Sequence, residues 1–226
     1  MQSTSMLSLK RYGAICLFLA AFGLLFPALS GCGQAMGVLA RAIHGDNEDP
    51  PCMEMEGKVA VVCRPRASTS YQYGDVANEL AKAVSTKVSM GIKDFKKKKK
   101  RESIQMIPHD DVEKYCDGME AESDFVEIGK AVGADQVIAI DLLGFNHIAG
   151  TNVWQGHADM NVQLIDVKTG DVVYEPESLP EYVYPRNYVI PSTEQNEWNF
   201  QREYILRLGK YVSKQFVPYN RFDMDL

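Results

Sequence analysis

Cysteine and histidine are both scarce, with five and four in 226 residues. No CxxC pair and no Cys/His spacing of a zinc site occurs, so a structural zinc does not organise this chain. Beyond Cys32 only Cys52, Cys63 and Cys116 remain, which allows one disulfide at most if Cys32 is otherwise used. Cys52 and Cys116 are a candidate pair, whereas Cys63 closes an apolar run and reads as a small buried hydrophobe. The chain also lacks a P-loop, a GxGxxG and a nucleophile elbow, so no cofactor is expected. Basic charge is in deficit, 24 Lys and Arg against 30 Asp and Glu. A general nucleic-acid binder needs a basic surface to neutralise phosphates, and this composition argues against one.

What is present begins with an address. Lys10 and Arg11 precede the apolar run Tyr12 to Ala28, and Leu29-Ser30-Gly31-Cys32 follows. A basic segment, an apolar segment and small residues are the parts of a secretory signal peptide. The run falls short of the roughly 20 apolar residues that a membrane-spanning helix needs, and Gly13, Gly23 and Pro27 interrupt it. The last four residues resemble the lipobox of bacterial lipoproteins. That resemblance implies a diacylglycerol on the Cys32 thiol, cleavage after Gly31, and typically three acyl chains in a Gram-negative cell. One chain gives only marginal membrane binding, and two or more give stable anchoring. Gly33 in place of Asp then implies the periplasmic face of the outer membrane, with the inner membrane left open.

Past the cysteine the sequence reads as a tether over 32–56, an α/β domain over 57–178, and a Tyr/Pro-rich segment with a C-terminal helix over 179–226. Lys58 to Arg64 is a compact β-branched run and predicts a buried strand. A loop from Pro65 to Gly74 leads to Asp75, a candidate cap for a helix ending near Lys93. Val76, Leu80, Val84, Val88 and Ile92 give that helix one apolar stripe. Ser103 to Ile107 predicts a strand. Short helices follow over Asp110 to Cys116 and Ser123 to Val132, the second stopped by Gly133. Gln136 to Phe145 and Val153 to Val167 predict two long strands. Asp166-Val-Lys-Thr-Gly-Asp171 predicts a turn, and Val172 to Tyr174 a return strand. An irregular segment over 176–191 precedes a helix from Glu194 to Phe216, capped by Thr193, with Trp198, Ile205, Leu208, Val212 and Phe216 on one face. The expected fold is α/β. It has a mixed β-sheet, an N-terminal βαβ crossover of right hand, C-terminal antiparallel hairpins and helices packed on the sheet.

Two stretches, Val132 to Phe145 and Ala158 to Tyr174, resemble the periplasmic lipoproteins grouped around the curli secretion channel and the lipoprotein activators of penicillin-binding proteins. Those domains share a Gly-Ala-Asp-like helix end, a strand, and a long strand closing in a D-V-x-T-G-D-like turn. The resemblance covers roughly residues 57–176. It implies a non-enzymatic recognition domain, a scaffold or regulator in envelope assembly. Partners would be the membrane through Cys32, an envelope protein or cell-wall polymer, and a second copy of the chain. The channel's membrane hairpins need strands of about 9–11 alternating residues. The candidate loops, Lys96 to Arg101 and Phe145 to Thr151, have the wrong composition or are too short.

Four groups of residues remain as candidate sites. The run Lys96, Lys97, Lys98, Lys99, Lys100 and Arg101 suits an anionic surface or partner, or a solvated loop. His109-Asp110-Asp111 suits acid–base or metal chemistry, or simply a helix start, where Asp satisfies free N–H groups. His147 and His157, with Asp141 or Asp159, are a candidate metal set. Tyr182, Tyr184 and Tyr188, with Trp198 and Phe200, suit an interface or a segment packed over the sheet. The readings kept open are therefore a scaffold or regulator, a subunit of an oligomeric secretion or assembly complex, and an envelope hydrolase or metal-dependent enzyme.

Overall fold

The computed structural model describes residues 47–65, 70–99, 104–116 and 124–220. Glu48–Tyr219 form one compact unit, and of the second, made of 1–47 and 220–226, only Asn47 and Asn220 are described. The lipobox and Cys32 lie outside the described residues.

The sheet is built around β2 (Lys58–Pro65), after a two-residue β1 (Asn47–Glu48). Helix α1 (Ser70–Lys99) crosses to the short β3 (Gln105–Met106), and α2 (His109–Cys116) and α3 (Phe125–Ala131) lead to β4 (Gln136–Gly150). Next come β5 (Val153–Asp166), β6 (Val172–Tyr174), β7 (Tyr182–Tyr184), β8 (Ile190–Pro191), α4 (Glu197–Ser213) and β9 (Tyr219–Asn220). The main sheet runs in the order β3-β2-β4-β5-β6. Strand β2 is parallel to both β3 and β4, whereas β4 and β5 are antiparallel, so the expected mixed sheet is present. The outer edge of β5 is shared by β6, β7 and β8, each antiparallel to it.

Burial explains the sequence patterns. Val59, Ala60, Val61 and Val62 are all buried because both faces of β2 are covered. A doubly covered strand reads as a continuous apolar run. Val59 and Val61 join one core with Leu80, Val84 and Val88 of α1 and Tyr204, Leu208 and Val212 of α4. Ala60 and Val62 join the other, with Val112 of α2 and Ile128 of α3. Strand β4 behaves likewise over Gln136 to Ile140 and then stops being wholly buried. Strand β5 alternates: Trp154, Ala158, Met160, Val162 and Leu164 all enter the α1/α4 core. That is the period-two pattern of a strand covered on one face.

Several boundaries move from expectation. Helix α1 begins at Ser70, so Asp75 is inside it and not its cap, and it runs through Lys99, so Lys96 to Lys99 continue a helix instead of a loop. Cations at a helix C-terminus suit the macrodipole, which favours positive charge there. Residues 145–150 belong to β4 and are not a loop. Helix α4 starts three residues late because Asn196, not Thr193, is its cap, its side chain accepting from the Asn199 N–H at 2.9 Å. Trp198, placed on the apolar stripe, is 65% exposed, while Phe200 and Tyr204 take the core positions. Folded structure also begins before residue 57. Cys52 and Met55 are buried, Cys52 N–H donates to Gln215 O at 2.9 Å, and Glu56 N–H donates to Gln136 Oε1 at 2.8 Å. Two buried apolar side chains and these hydrogen bonds dock the stretch together.

At Gly156 the Tyr204 ring of α4 packs directly on β5. A Cβ there would meet three ring carbons of Tyr204. That ring is fully buried, and its hydroxyl donates to Tyr182 O at 2.8 Å, so it cannot swing aside. Overpacking a filled core costs about 1–3 kcal/mol. Gly156→Ala is therefore expected to destabilise the domain by that amount, read as a lowered urea midpoint at unchanged slope.

Candidate functional site

The sequence-derived candidates do not assemble into one site. His147 and His157 point to opposite faces of the sheet, because Asn146, the neighbour of His147, pairs with His157. His147 Nε2 meets Glu197 Oε1 at 2.9 Å, and His157 Nδ1 meets Glu181 Oε1 at 3.0 Å. Among the described residues no three His, Cys, Asp or Glu side chains gather as a metal site. Cys52 and Cys116 are thiols on opposite sides of the sheet, Cys52 within the α1/α4 core and Cys116 packed against the α2/α3 core. Burial pushes the Cys52 thiol up to about 12. Among Lys96 to Arg101, the side chains fall outside the described residues.

The Tyr/Pro-rich segment is not irregular throughout as expected: Tyr182–Tyr184 and Ile190–Pro191 join the sheet as β7 and β8 on the edge of β5, and Tyr184 packs against Phe200 of α4. Tyr184 donates to Glu203 Oε1 at 2.9 Å, and Arg207 lies over the Tyr184 ring at 4.1 Å. Arg207 Nη2 also meets Glu203 Oε1 at 2.8 Å, and Gln195 Nε2 donates to Glu203 Oε2 at 3.1 Å. Burial alone would raise the Glu203 carboxyl, but the bonds from Gln195, Arg207 and Tyr184 outweigh it and hold the group below the usual range. Tyr211 and Tyr204 donate to Pro180 O and Tyr182 O at 3.2 and 2.8 Å. The bonds from Tyr184, Tyr204 and Tyr211 and the Arg207–Tyr184 contact tie the segment to α4. Tyr188 alone of the three predicted tyrosines is largely exposed.

The described residues do bring polar side chains together around His109. It opens α2 and is nearly buried, at 9% exposure. Its Nε2 lies 2.9 Å from Asn78 Oδ1, on α1. The Asn78 amide nitrogen in turn donates in a short bond to Glu113, on α2. A carboxylate only accepts, so the Asn78 NH2 must face Glu113 and its Oδ1 must face the ring. A proton therefore sits on Nε2, and in the neutral ring Nδ1 carries the lone pair. That Nδ1 is buried and has no hydrogen-bond partner. Burial, chiefly, holds the imidazole below its usual 6.5 and keeps it neutral, with Lys82 acting in the same direction and Glu113 and Asp110 against it. Asp110 and Asp111, by contrast, are exposed, Asp111 meeting Lys114 at 3.1 Å. These two behave as first-turn acids of a helix, which suits the macrodipole.

His109 lines a cleft of about 440 Å³ with Cys63, Arg64, Asp75, Asn78, Glu113 and Cys116 among its walls. Sequence reasoning found His109 and missed Asn78 and Glu113. Asn78 lies off the apolar stripe of α1 and Glu113 in an ordinary charged helix, and only the packing of α1 against α2 joins them. A larger hollow of about 670 Å³ lies by Gly57, Lys130 and Asp166, and one of about 570 Å³ between α1 and α4 beside Trp198.

The fold and the cleft define an α/β domain with a mixed sheet and helices on both faces. No known family matches the sequence, and no curated protein does. Solved structures that resemble it include the PelC dodecamer from Paraburkholderia phytofirmans, 11% identical over 75% of this chain and 94% of that one, at a TM-score of 0.41. The lipoprotein GNA1162 from Neisseria meningitidis is 11% identical over 69% of this chain and 98% of that one, at 0.36. The hypothetical protein CT253 from Chlamydia trachomatis is 12% identical over 70% and 98%, at 0.30. Likenesses this slight carry nothing about activity or partners. No helix among the described residues is long and apolar enough to cross a membrane.

A neutral buried imidazole makes stability depend on pH. In the unfolded chain His109 protonates below about 6.5, while the folded protein resists, so stability is full above that value and falls as pH drops from it towards the lower folded value. His109→Gln is expected to lose stability less steeply than the wild type between pH 7.5 and 5.5, measured by urea denaturation at each pH.

Proposed function

We propose that this protein is an exported lipoprotein, held at the periplasmic face of the outer membrane by lipid on Cys32, whose folded domain acts as a non-enzymatic scaffold or regulator in envelope assembly. The observation that carries the proposal is the sequence Leu29-Ser30-Gly31-Cys32 at the end of an apolar run led by Lys10 and Arg11. Acyl chains on one thiol would turn an acidic, water-compatible domain into a surface-bound one without a spanning helix. The mixed sheet with helices on both faces agrees with the recognition domains of the curli-channel and penicillin-binding-protein-activator lipoproteins in class.

The lysine run fits the same reading. Each basic residue near an anionic surface contributes on the order of 1 kcal/mol, so Lys96 to Arg101 would serve as a second contact with headgroups or with an acidic partner.

Cys32→Ser tests the anchor. The wild type should partition into the detergent phase of a cloud-point separation, and its mass should show lipid on the residue that follows Gly31. The variant should move to the aqueous phase or keep its uncleaved signal. An unchanged processed mass together with an unchanged membrane fraction would overturn the proposal.

A further inference from the structure

The exposed faces of α1 and α4 bring apolar and charged side chains together. The two helices run parallel. A Cβ on Gly209 would meet Ala83, and one on Gly91 would meet Val217, just past the end of α4, so both contacts join residues at the same offset. Between the helices lies the hollow of about 570 Å³, with Val76, Ala83 and Ile205 as its buried floor. Trp198 and Leu206 line it and are exposed. Met90, also exposed, continues the same face of α1 four residues beyond Thr86. Clustered apolar groups of this kind anchor protein interfaces, with Trp the most enriched.

Charge along the hollow is ordered. Asp75 and Glu79 stand on the first half of the α1 rim and Lys82 and Lys87 on the second, all four exposed. Lys82 reaches Asp110 only at 3.9 Å, between exposed groups, and such a contact is worth little. Arg202 lies at the acidic end, 5.5 Å over the Trp198 ring of its own chain, and the two carboxylates outnumber it. Asp75 and Lys87 stand about 18 Å apart along one helix, so they do not pair within a chain. A surface that runs from acid to base along its length complements itself when turned end for end. A two-fold axis performs that operation: one residue meets a second, and the second meets the first. An axis crossing α1 near Ala81 sets Asp75 opposite the partner's Lys87 and Glu79 opposite the partner's Lys82. With Ala83 and Gly209 level, Trp198 lies as far before that axis as Met90 lies beyond it, so the two meet at one height across the seam. Thioether–aromatic contacts of that kind are favourable.

We propose that this face pairs two copies of the chain about a two-fold axis, α1 against α1 in antiparallel sense, with Trp198 and Met90 as apolar anchors and the Asp75–Lys87 and Glu79–Lys82 pairs setting the register. Complementary charges across an interface fix register and reject wrong partners more than they add affinity. A foreign helix would have to carry the same reversed charge order to fit as well as a second copy does. The pairing needs no acyl group, so it goes beyond the lipid-anchor reading and survives that reading's failure. On a shared membrane surface, anchored copies would meet at a raised effective concentration.

The full chain is diluted from about 100 µM to about 0.1 µM in detergent, with micelles in excess over protein. Trp154 is buried and Trp198 is exposed, so iodide quenching of tryptophan fluorescence reads the face directly. Trp198 should pass from shielded to quenchable on dilution, in step with a dimer-to-monomer change in sedimentation velocity. Lys87→Glu should weaken association about tenfold, and adding Asp75→Lys to the same chain should restore most of it. Damage to one chain's own helix would not be repaired by reversing a second charge so far along it. The wild-type dilution decides the matter even if a variant folds badly. A monomer at every concentration, or a Trp198 shielded at every concentration as a covering segment of its own chain would make it, would overturn the proposal. So would a Lys87→Glu chain that pairs as well as the wild type, or one that Asp75→Lys does not repair.

Discussion

The domain depends on one strand being buried from both sides. Val59 to Val62 contribute alternate side chains to two separate cores, and the same strand supplies the parallel hydrogen bonds that hold β4 in register. Neither helical layer could form without it. Each layer covers one face of a sheet that would otherwise expose apolar surface, and removing that surface from water is the main driving force for folding. The transition from fully buried to alternating residues, which occurs at Asp141 in β4, marks where the α2/α3 layer ends. Asp141 sits at that margin, and partial burial raises its carboxyl above the usual range, against the pull of Arg64.

Much of the architecture was legible because the patterns are physical consequences of burial. The run Val59 to Val62 announces a doubly covered strand, the alternation along β5 a singly covered one, and the stripe from Val76 to Ile92 a helix lying on a sheet. The turn at Asp166 was legible from its own chemistry: the carboxylate accepts the Lys168 and Thr169 N–H groups at 2.9 and 2.8 Å, and Gly170 takes the φ of +80°. Those bonds, led by the one from Thr169, hold the Asp166 carboxyl below its usual range.

Other features were not legible. The docking of Cys52 is settled by a contact distant in sequence, its N–H donating to Gln215 O, and the cap of α4 by which of two nearby polar residues, Thr193 or Asn196, reaches the first-turn N–H groups. Tyr182, Tyr184, Tyr204 and Tyr211 are tied to backbone and side chains on other elements, and a list of tyrosines alone does not distinguish that strap from an interface. The cleft was half legible. His109 stands out in the sequence, yet Asn78 lies 31 positions away and acquires its meaning only where α1 meets α2.

The three short strands along the outer edge of β5 have a consequence for how copies of the domain can associate. An open strand edge is a template on which another chain can add and grow into a fibre. Here β6, β7 and β8 tile that edge piece by piece, and Pro191 lies in one tile while Pro180 and Pro185 flank another. A ring lacking an amide proton cannot pass the ladder on. Copies packed side by side could thus meet along this flank without zipping their sheets together.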